Sequence, residues 1–308
     1  AFNRGVNNVF PLPRWIADVF WDYYRATISK KDFIERFTFR CDAELNPEVL
    51  WELLCKLTDS QNKAVINVPV LITALTIPNN IPCEFFDEAP LLTVSTIHKA
   101  KGSEYDRVIL IESDIKPSSD SAEEARIRYV ALTRPKTQFI TMQKNTKYFK
   151  RTMSGRVIET GLHNMYNTNN KYCKCITVGL TGDIDNNSFV SGDFNTILDL
   201  QEYIIHSVKL YDKLSAKRSA ISRMYEIYHK GRCIGSLSKE MIDELDMGVE
   251  STDYRYNLPD SLENLYVSGI TTEILKQFDA SVPIEYQKSR ICFGIQITGL
   301  AKLVFEKR

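Results

Sequence analysis

Short apolar runs on either side of a helix-patterned segment constrain this chain most. "LLTVS" (residues 91–95) and "RVILIE" (residues 107–112) are continuous and brief, as expected of strands buried on both faces of a parallel sheet. The next segment, "SDSAEEARIRYVALTR" (residues 119–134), opens on Ser and Asp capping candidates. It places Glu123 and Glu124 in its first turn and then repeats apolar residues at helical spacing. "TQFITM" (residues 137–142) follows as a strand. The order strand, loop, strand, helix, strand is βαβ grammar and predicts an α/β layered structure.

The loop inside this block, within "TIHKAKGSEYDRV" (residues 96–108), is rich in Lys, His and Gly, a composition suited to touching phosphate or nucleic acid. Its natural complement would be a P-loop, G-x-x-x-x-G-K-[ST], to cradle a triphosphate. Only Gly294 and Gly299 have that glycine spacing, Leu300 stands where the lysine belongs, and no Gly precedes a Lys anywhere. The chain therefore carries one half of a phosphate site.

At 308 residues there is room for two domains, each with its own core. Lys plus Arg and Asp plus Glu both number 39, which excludes a wholesale basic coat and makes any electrostatic footprint local. Seven scattered cysteines, with only Cys173 and Cys175 close together, give no zinc-ligand spacing and read as reduced thiols of a cytoplasmic protein without a metal site. No apolar run approaches transmembrane length and no signal peptide is visible, so no membrane partner is expected. The chain opens at Ala1 in the polar "AFNRGVNN", which suggests an excised fragment.

From Pro13 to about Ala74 the pattern is helical. Trp15, Ile16, Val19, Phe20 and Tyr23 form an amphipathic stripe, which reads as core packing, with a base-stacking platform as the alternative. Asn46 followed by Pro47 and Glu48 predicts an N-cap and a helix start. Between residues 135 and 156 stand Lys136, Lys144, Lys147, Lys150, Arg151 and Arg156, interleaved with Tyr148 and Phe149 and without an acidic residue. Such a mixture suits either a groove tracking single-stranded nucleic acid or a solvated linker. "HNMYNTNNKY" (residues 163–172) reads as a loop or domain boundary. Beyond it the texture is strands and turns, with "HKG" and "ITG" as turn signals and two helical patterns near "TILDLQEYI" and "KEMIDEL". A small β-barrel or sandwich is expected there.

Two of these segments together resemble a known family. "TIHKAKGSEYDRV" looks like motif V of the UvrD/Rep-type superfamily 1 DNA helicases, T-x-H-x-A-K-G-L-E-F-x-x-V. "EEARIRYVALTR" (residues 123–134) looks like their motif VI, E-E-x-R-L-x-Y-V-A-x-T-R, in the right order and at a plausible separation. "AFNRGVN" is faintly similar to the family's A-V-L-x-R-T-N strand end. Ser103 departs from the family's leucine. "FFDEAP" (residues 85–90) imitates the family's metal-binding V-D-E-A-Q-D, but it lies too close to motif V and without a preceding strand, and reads as a decoy.

The resemblance implies a motor of two RecA-like (P-loop NTPase-type) domains closing on ATP and Mg²⁺, moving 3′-to-5′ on single-stranded DNA. It implies that Arg134 is the arginine finger, braced by Arg126 and Tyr129. Glu104 would approach the nucleotide and Gly102 would let the backbone come close. Thr96 and His98 would face the DNA strand, with Lys99 or Lys101 attracting phosphate. Residues 1–155 are then expected to be the second RecA-like half-motor domain, with a reduced helical insertion at about 13–80. Residues 165–308 would be a β-rich accessory domain that binds DNA or a protein partner. The first RecA-like domain, expected N-terminal in the same chain, would hold most of the ATP and Mg²⁺, so the fragment alone would not hydrolyse ATP. "GDID" (residues 182–185) and "EYQK" (residues 285–288) are too far apart for a carboxylate–lysine nuclease site. The other class of function left open is a non-catalytic nucleic-acid or protein adaptor derived from a helicase.

Overall fold

The computed structural model describes residues 11–41, 44–77, 80–86, 95–112, 121–143, 149–152, 155–165, 168–220, 223–250, 258–275 and 289–305. Several sequence readings fall outside these residues: the "AFNRGVN" start, the first expected strand except Ser95, residues 87–90 of "FFDEAP", the cap before residue 121, Lys144, Lys147, Tyr148 and "EYQK". The chain divides into two compact units: residues 1–8 with 88–149, and residues 9–87 with 150–308.

In the smaller unit, strand β3 (Tyr105–Glu112), helix α5 (Ser121–Leu132) and strand β4 (Pro135–Gln143) form a βαβ element. The strands run parallel, with Val108 beside Phe139, Ile109 beside Ile140 and Ile111 beside Met142. The apolar run of β3, expected to be buried on both faces, is not: Ile109, Ile111, Ile140 and Met142 are all exposed, Ile111 to 72%. A strand alternates its side chains between faces, and α5, the one helix among the described residues of this unit, can cover one face only.

The larger unit joins helices to a long sheet. Helices α1 (Arg14–Phe20), α2 (Lys30–Arg40), α3 (Pro47–Leu57) and α4 (Val68–Leu75) realise the helical pattern of residues 13–74, interrupted by a short antiparallel pair, β1 (Thr27–Ser29) and β2 (Val65–Asn67). Trp15, Ile16, Val19, Phe20 and Tyr23 are buried, so the stripe is core and not a stacking platform. Trp15 packs edge-on against Phe33, Phe37 and Phe85, and its indole N–H donates to the Phe85 carbonyl at 2.8 Å. Asn46 caps α3 as its sequence predicts, its side-chain oxygen accepting from the Glu48 and Val49 amides at 2.9 and 3.4 Å.

The tail is neither a barrel nor a sandwich. Its strands are β5 (Phe149–Arg151), β6 (Val157–Met165), β7 (Thr168–Val178), β8 (Lys213–Arg218), β9 (Tyr225–His229), β10 (Arg232–Ser236), β11 (Ser261–Ile274) and β12 (Ile291–Val304). They form one sheet in the order β10-β9-β8-β11-β12-β7-β6-β5. Helices α6 (Phe194–Ser207) and α7 (Lys239–Glu250) and the segment holding α1 cover it, supplying the burial that a barrel would have found by closing. The helical segment read as an insertion in the first domain thus packs on the β-rich part.

The described residues of "HNMYNTNNKY", read as a loop or domain boundary, lie in the paired strands β6 and β7, where Leu162 stands beside Lys171 and His163 beside Asn170. "HKG" is a turn as expected: Lys230 and Gly231 both have positive φ, the two-residue hairpin geometry that suits a twisted strand pair. "ITG" is not a turn. Gly299 lies inside β12, where a Cβ would overlap the Asn264 carbonyl, beside a shift in the β11–β12 register.

One contact fixes α1 on the sheet. Pro13 at its N-cap has no polar side chain, and Thr272 of β11 takes over the role. The Thr272 hydroxyl accepts from the Ala17 amide at 2.8 Å and donates to the Pro13 carbonyl at 2.7 Å. Thr272→Val keeps the shape and orphans the Ala17 amide, while the Pro13 carbonyl keeps the Ile16 amide at 3.2 Å, so it is expected to cost about 1–3 kcal/mol, read as a lower urea midpoint at unchanged slope. An unmoved midpoint would show that the helix closes this gap by itself.

Candidate nucleotide and nucleic-acid site

Residues 96–104 fold as successive tight turns leading into β3. The Thr96 carbonyl accepts from the Ala100 amide at 3.1 Å, the His98 carbonyl from Lys101 at 3.3 Å, and the Ala100 carbonyl from Ser103 at 3.1 Å. The Thr96 hydroxyl accepts the Lys99 amide at 3.4 Å. Gly102 stops this helical winding with φ of +87°, and a Cβ there would meet only open space. The backbone at Gly102 is therefore approachable from outside.

Thr96, His98, Lys99, Lys101, Ser103 and Glu104 are all exposed. Among the described residues no carboxylate pairs with Lys99 or Lys101, whereas Glu104 lies 3.7 Å from the Lys136 ammonium. That exposed pair contributes little stability. The loop thus presents two uncompensated ammonium groups, a surface that attracts phosphate.

Arg134 follows the end of α5 and leads into β4. Its Nε donates to the Val130 carbonyl at 3.0 Å, Nη1 to the Ser103 carbonyl at 3.2 Å, and Nη2 to the Thr133 hydroxyl at 2.9 Å. Its own carbonyl accepts the Tyr105 amide at 3.0 Å. Ser103 and Arg134, 31 residues apart and one in each of the two sequence motifs, are thereby joined at one end of the parallel strand pair. The carbonyl and hydroxyl acceptors are neutral, and among the described residues no carboxylate pairs with Arg134. Its charge is held in place without being neutralised.

The expected braces differ. Arg126 is exposed and Tyr129 is 68% exposed, and Val130, Thr133 and Ser103 perform the restraint instead. The reason is geometric: α5 ends one residue before Thr133, so the guanidinium folds back on the last turn of its own helix rather than across it.

Of the basic and aromatic side chains read in residues 135–156, the described ones are Lys136, Phe149 and Arg156. Lys136 pairs with Glu104, and Phe149 is partly exposed. Arg156 is buried in an ion cluster, its guanidinium bonded to both Asp183 oxygens and to Glu244. Asp183 of "GDID" is consumed there, while Asp185 of the same tetrapeptide caps the 3-10 turn Asn186–Val190. Gly294 and Gly299, the P-loop look-alike, lie within β12. The Arg156 cluster was invisible in sequence, since its members are 27 and 88 residues apart and none carries a local motif.

Residues 46–146 match the family model of the UvrD-like helicase C-terminal domain, a span that includes α3, α4 and the whole βαβ element. No curated protein and no solved structure gives a significant match. Over residues 46–146 the chain is thus similar to a UvrD/Rep-type helicase C-terminal region.

Proposed function

We propose that a chain with this helicase C-terminal region supplies the second half of an ATP-dependent DNA motor, and that its own residues act on the γ-phosphate and on single-stranded DNA. The observation that carries the reading is the junction of the two motifs, with the Arg134 guanidinium held beside Ser103 and unmatched by any described carboxylate. ATP is the substrate of such a motor. Mg²⁺ would neutralise its β- and γ-oxygens. In this reading the metal and most of the triphosphate are held by a first RecA-like domain.

Within this reading Arg134 turns from its neutral acceptors toward charge developing on the transferred phosphoryl group. Gly102 admits the nucleotide close to the backbone and Glu104 contacts its sugar. Thr96 and His98 face the DNA strand, with Lys99 and Lys101 supplying phosphate attraction. Translocation from 3′ to 5′ rests on the family resemblance. Among the described residues no helix is long and apolar enough to cross a membrane.

The test is ATP hydrolysis by the polypeptide containing both RecA-like halves, with and without single-stranded DNA. DNA-stimulated turnover is expected, and none from residues 1–308 alone. An intact protein without turnover would favour the adaptor instead, and turnover by the isolated 308 residues would contradict the division of the site.

A further inference from the structure

The larger unit contains a cavity of about 780 Å³, independent of the residues assigned to the motor. Its lining includes the apolar side chains of Leu12, Leu75, Ile81, Ile274 and Ile295. It also holds polar groups, among them Glu273 of β11. Its Oε1 accepts from the Thr271 hydroxyl at 3.0 Å and its Oε2 from the Asn186 amide at 2.5 Å. Among the described residues no Lys, Arg or His pairs with it. Asp183, a buried carboxylate of the same cavity, has Arg156. Glu273 is a half-buried acid with two hydrogen bonds and, among the described residues, no counter-ion.

The fold makes room for that acid. On β12, Gly294 pairs with Thr271, and a Cβ at position 294 would overlap the Glu273 side chain. A strand interior loses packing and chain rigidity at a glycine, so the seat for Glu273 is kept at a cost to the sheet. Burial pushes the Glu273 carboxyl up to about 7, against a smaller lowering by Thr271. The titratable neighbour on β12 is the Cys292 thiol, itself pushed up by burial and then by Glu273. From the 3-10 turn the facing group is the Asn186 amide.

A ligand for this place must bring a cation to Glu273 and apolar surface to the apolar lining. Beyond Glu273 and Asp183 the lining adds Asp185, Glu240 and Glu244, against the cations Arg156 and Lys239 alone. That balance repels a nucleic-acid backbone. It suits a long aliphatic stem ending in a cation, the chemistry of an arginine or lysine side chain. The volume exceeds one such side chain and accommodates its neighbours in a peptide. We infer that this cavity docks a short basic peptide segment of a protein partner, with one arginine or lysine cation seated on Glu273.

The inference stands apart from the motor reading and is tested on residues 1–308 directly. The probe is acetyl-Leu-Arg-Leu-amide, with the citrulline analogue as its neutral isostere, titrated calorimetrically. The arginine peptide is expected to bind and the citrulline peptide to bind at least about tenfold more weakly. Glu273→Gln keeps the shape and the Asn186 contact, and should abolish the difference between the two peptides. In the wild type, affinity for the arginine peptide should rise about tenfold from about pH 6 to about pH 8 as the carboxyl ionises. This second readout does not require the variant to fold. Equal binding of both peptides, a pH-independent affinity, or no binding at millimolar peptide would overturn the inference. So would a thymidine oligonucleotide that binds wild type and loses affinity in Glu273→Gln, which would assign the cavity to nucleic acid.

Discussion

Arg134→Ala, in the motor completed by its first RecA-like domain, is expected to lower ATP turnover by about a thousandfold or more while leaving nucleotide affinity nearly unchanged. The size follows from what the side chain does at rest. Its three donors meet only neutral acceptors, the Val130 and Ser103 carbonyls and the Thr133 hydroxyl, so no described ion pair must be broken before it reaches a phosphate. An interaction formed chiefly in the transition state lowers kcat when removed and leaves ground-state binding alone. Arg134→Lys keeps the charge but loses the planar fork, and should recover only part of the rate. Single-turnover hydrolysis separates these outcomes from slow product release. Unchanged turnover in Arg134→Ala would remove the arginine from the chemistry and leave it a local tie between α5 and residues 96–104.

Arg156→Met should destabilise the larger unit by about 3–5 kcal/mol, visible in urea or thermal unfolding of the 308-residue chain. Arg156 is 4% exposed, and its guanidinium engages Asp183, Glu244 and the Thr177 carbonyl. Burial alone would lower its pKa, but the two carboxylates hold it above the usual arginine range. Removing it strands Asp183, which is 2% exposed. Asp183 has a second task, accepting the Gly179 and Leu180 amides at 2.7 and 2.9 Å. A rescue must therefore remove the charge and keep an acceptor. Arg156→Met with Asp183→Asn should recover much of the loss, whereas Asp183→Leu should not, because two backbone donors would be orphaned. Equal stabilities for the two double variants would refute this division of roles.

The candidate site was legible in sequence because its signals are local. The turns of residues 96–104 need a glycine near their end, and Gly102 is there with positive φ. The helix that delivers Arg134 announces itself by its apolar repeat, and the strands beside it by unbroken apolar runs. The Asn46–Pro47 cap was equally plain, since a cap is a contact between near neighbours. Braces were less legible: motif context pointed to Arg126 and Tyr129, but the direction of the Arg134 side chain depends on where α5 ends.

Sequence alone determined the βαβ element, the helical character of residues 13–74 with its helix start at Asn46–Pro47, the burial of Trp15 and its stripe, and the two motifs that meet at Arg134. All follow from short-range periodicity and capping. Tertiary structure decided that β11 and β12 pair within an eight-stranded sheet rather than a barrel. It decided that Thr272 caps α1 from 255 residues away, and that Arg156 joins an ion cluster rather than a nucleic-acid track. It also left Glu273 half-buried and, among the described residues, without a cation. These outcomes depend on which distant groups come to share a low-dielectric interior, where an orphaned hydrogen bond or charge costs more than any local propensity supplies.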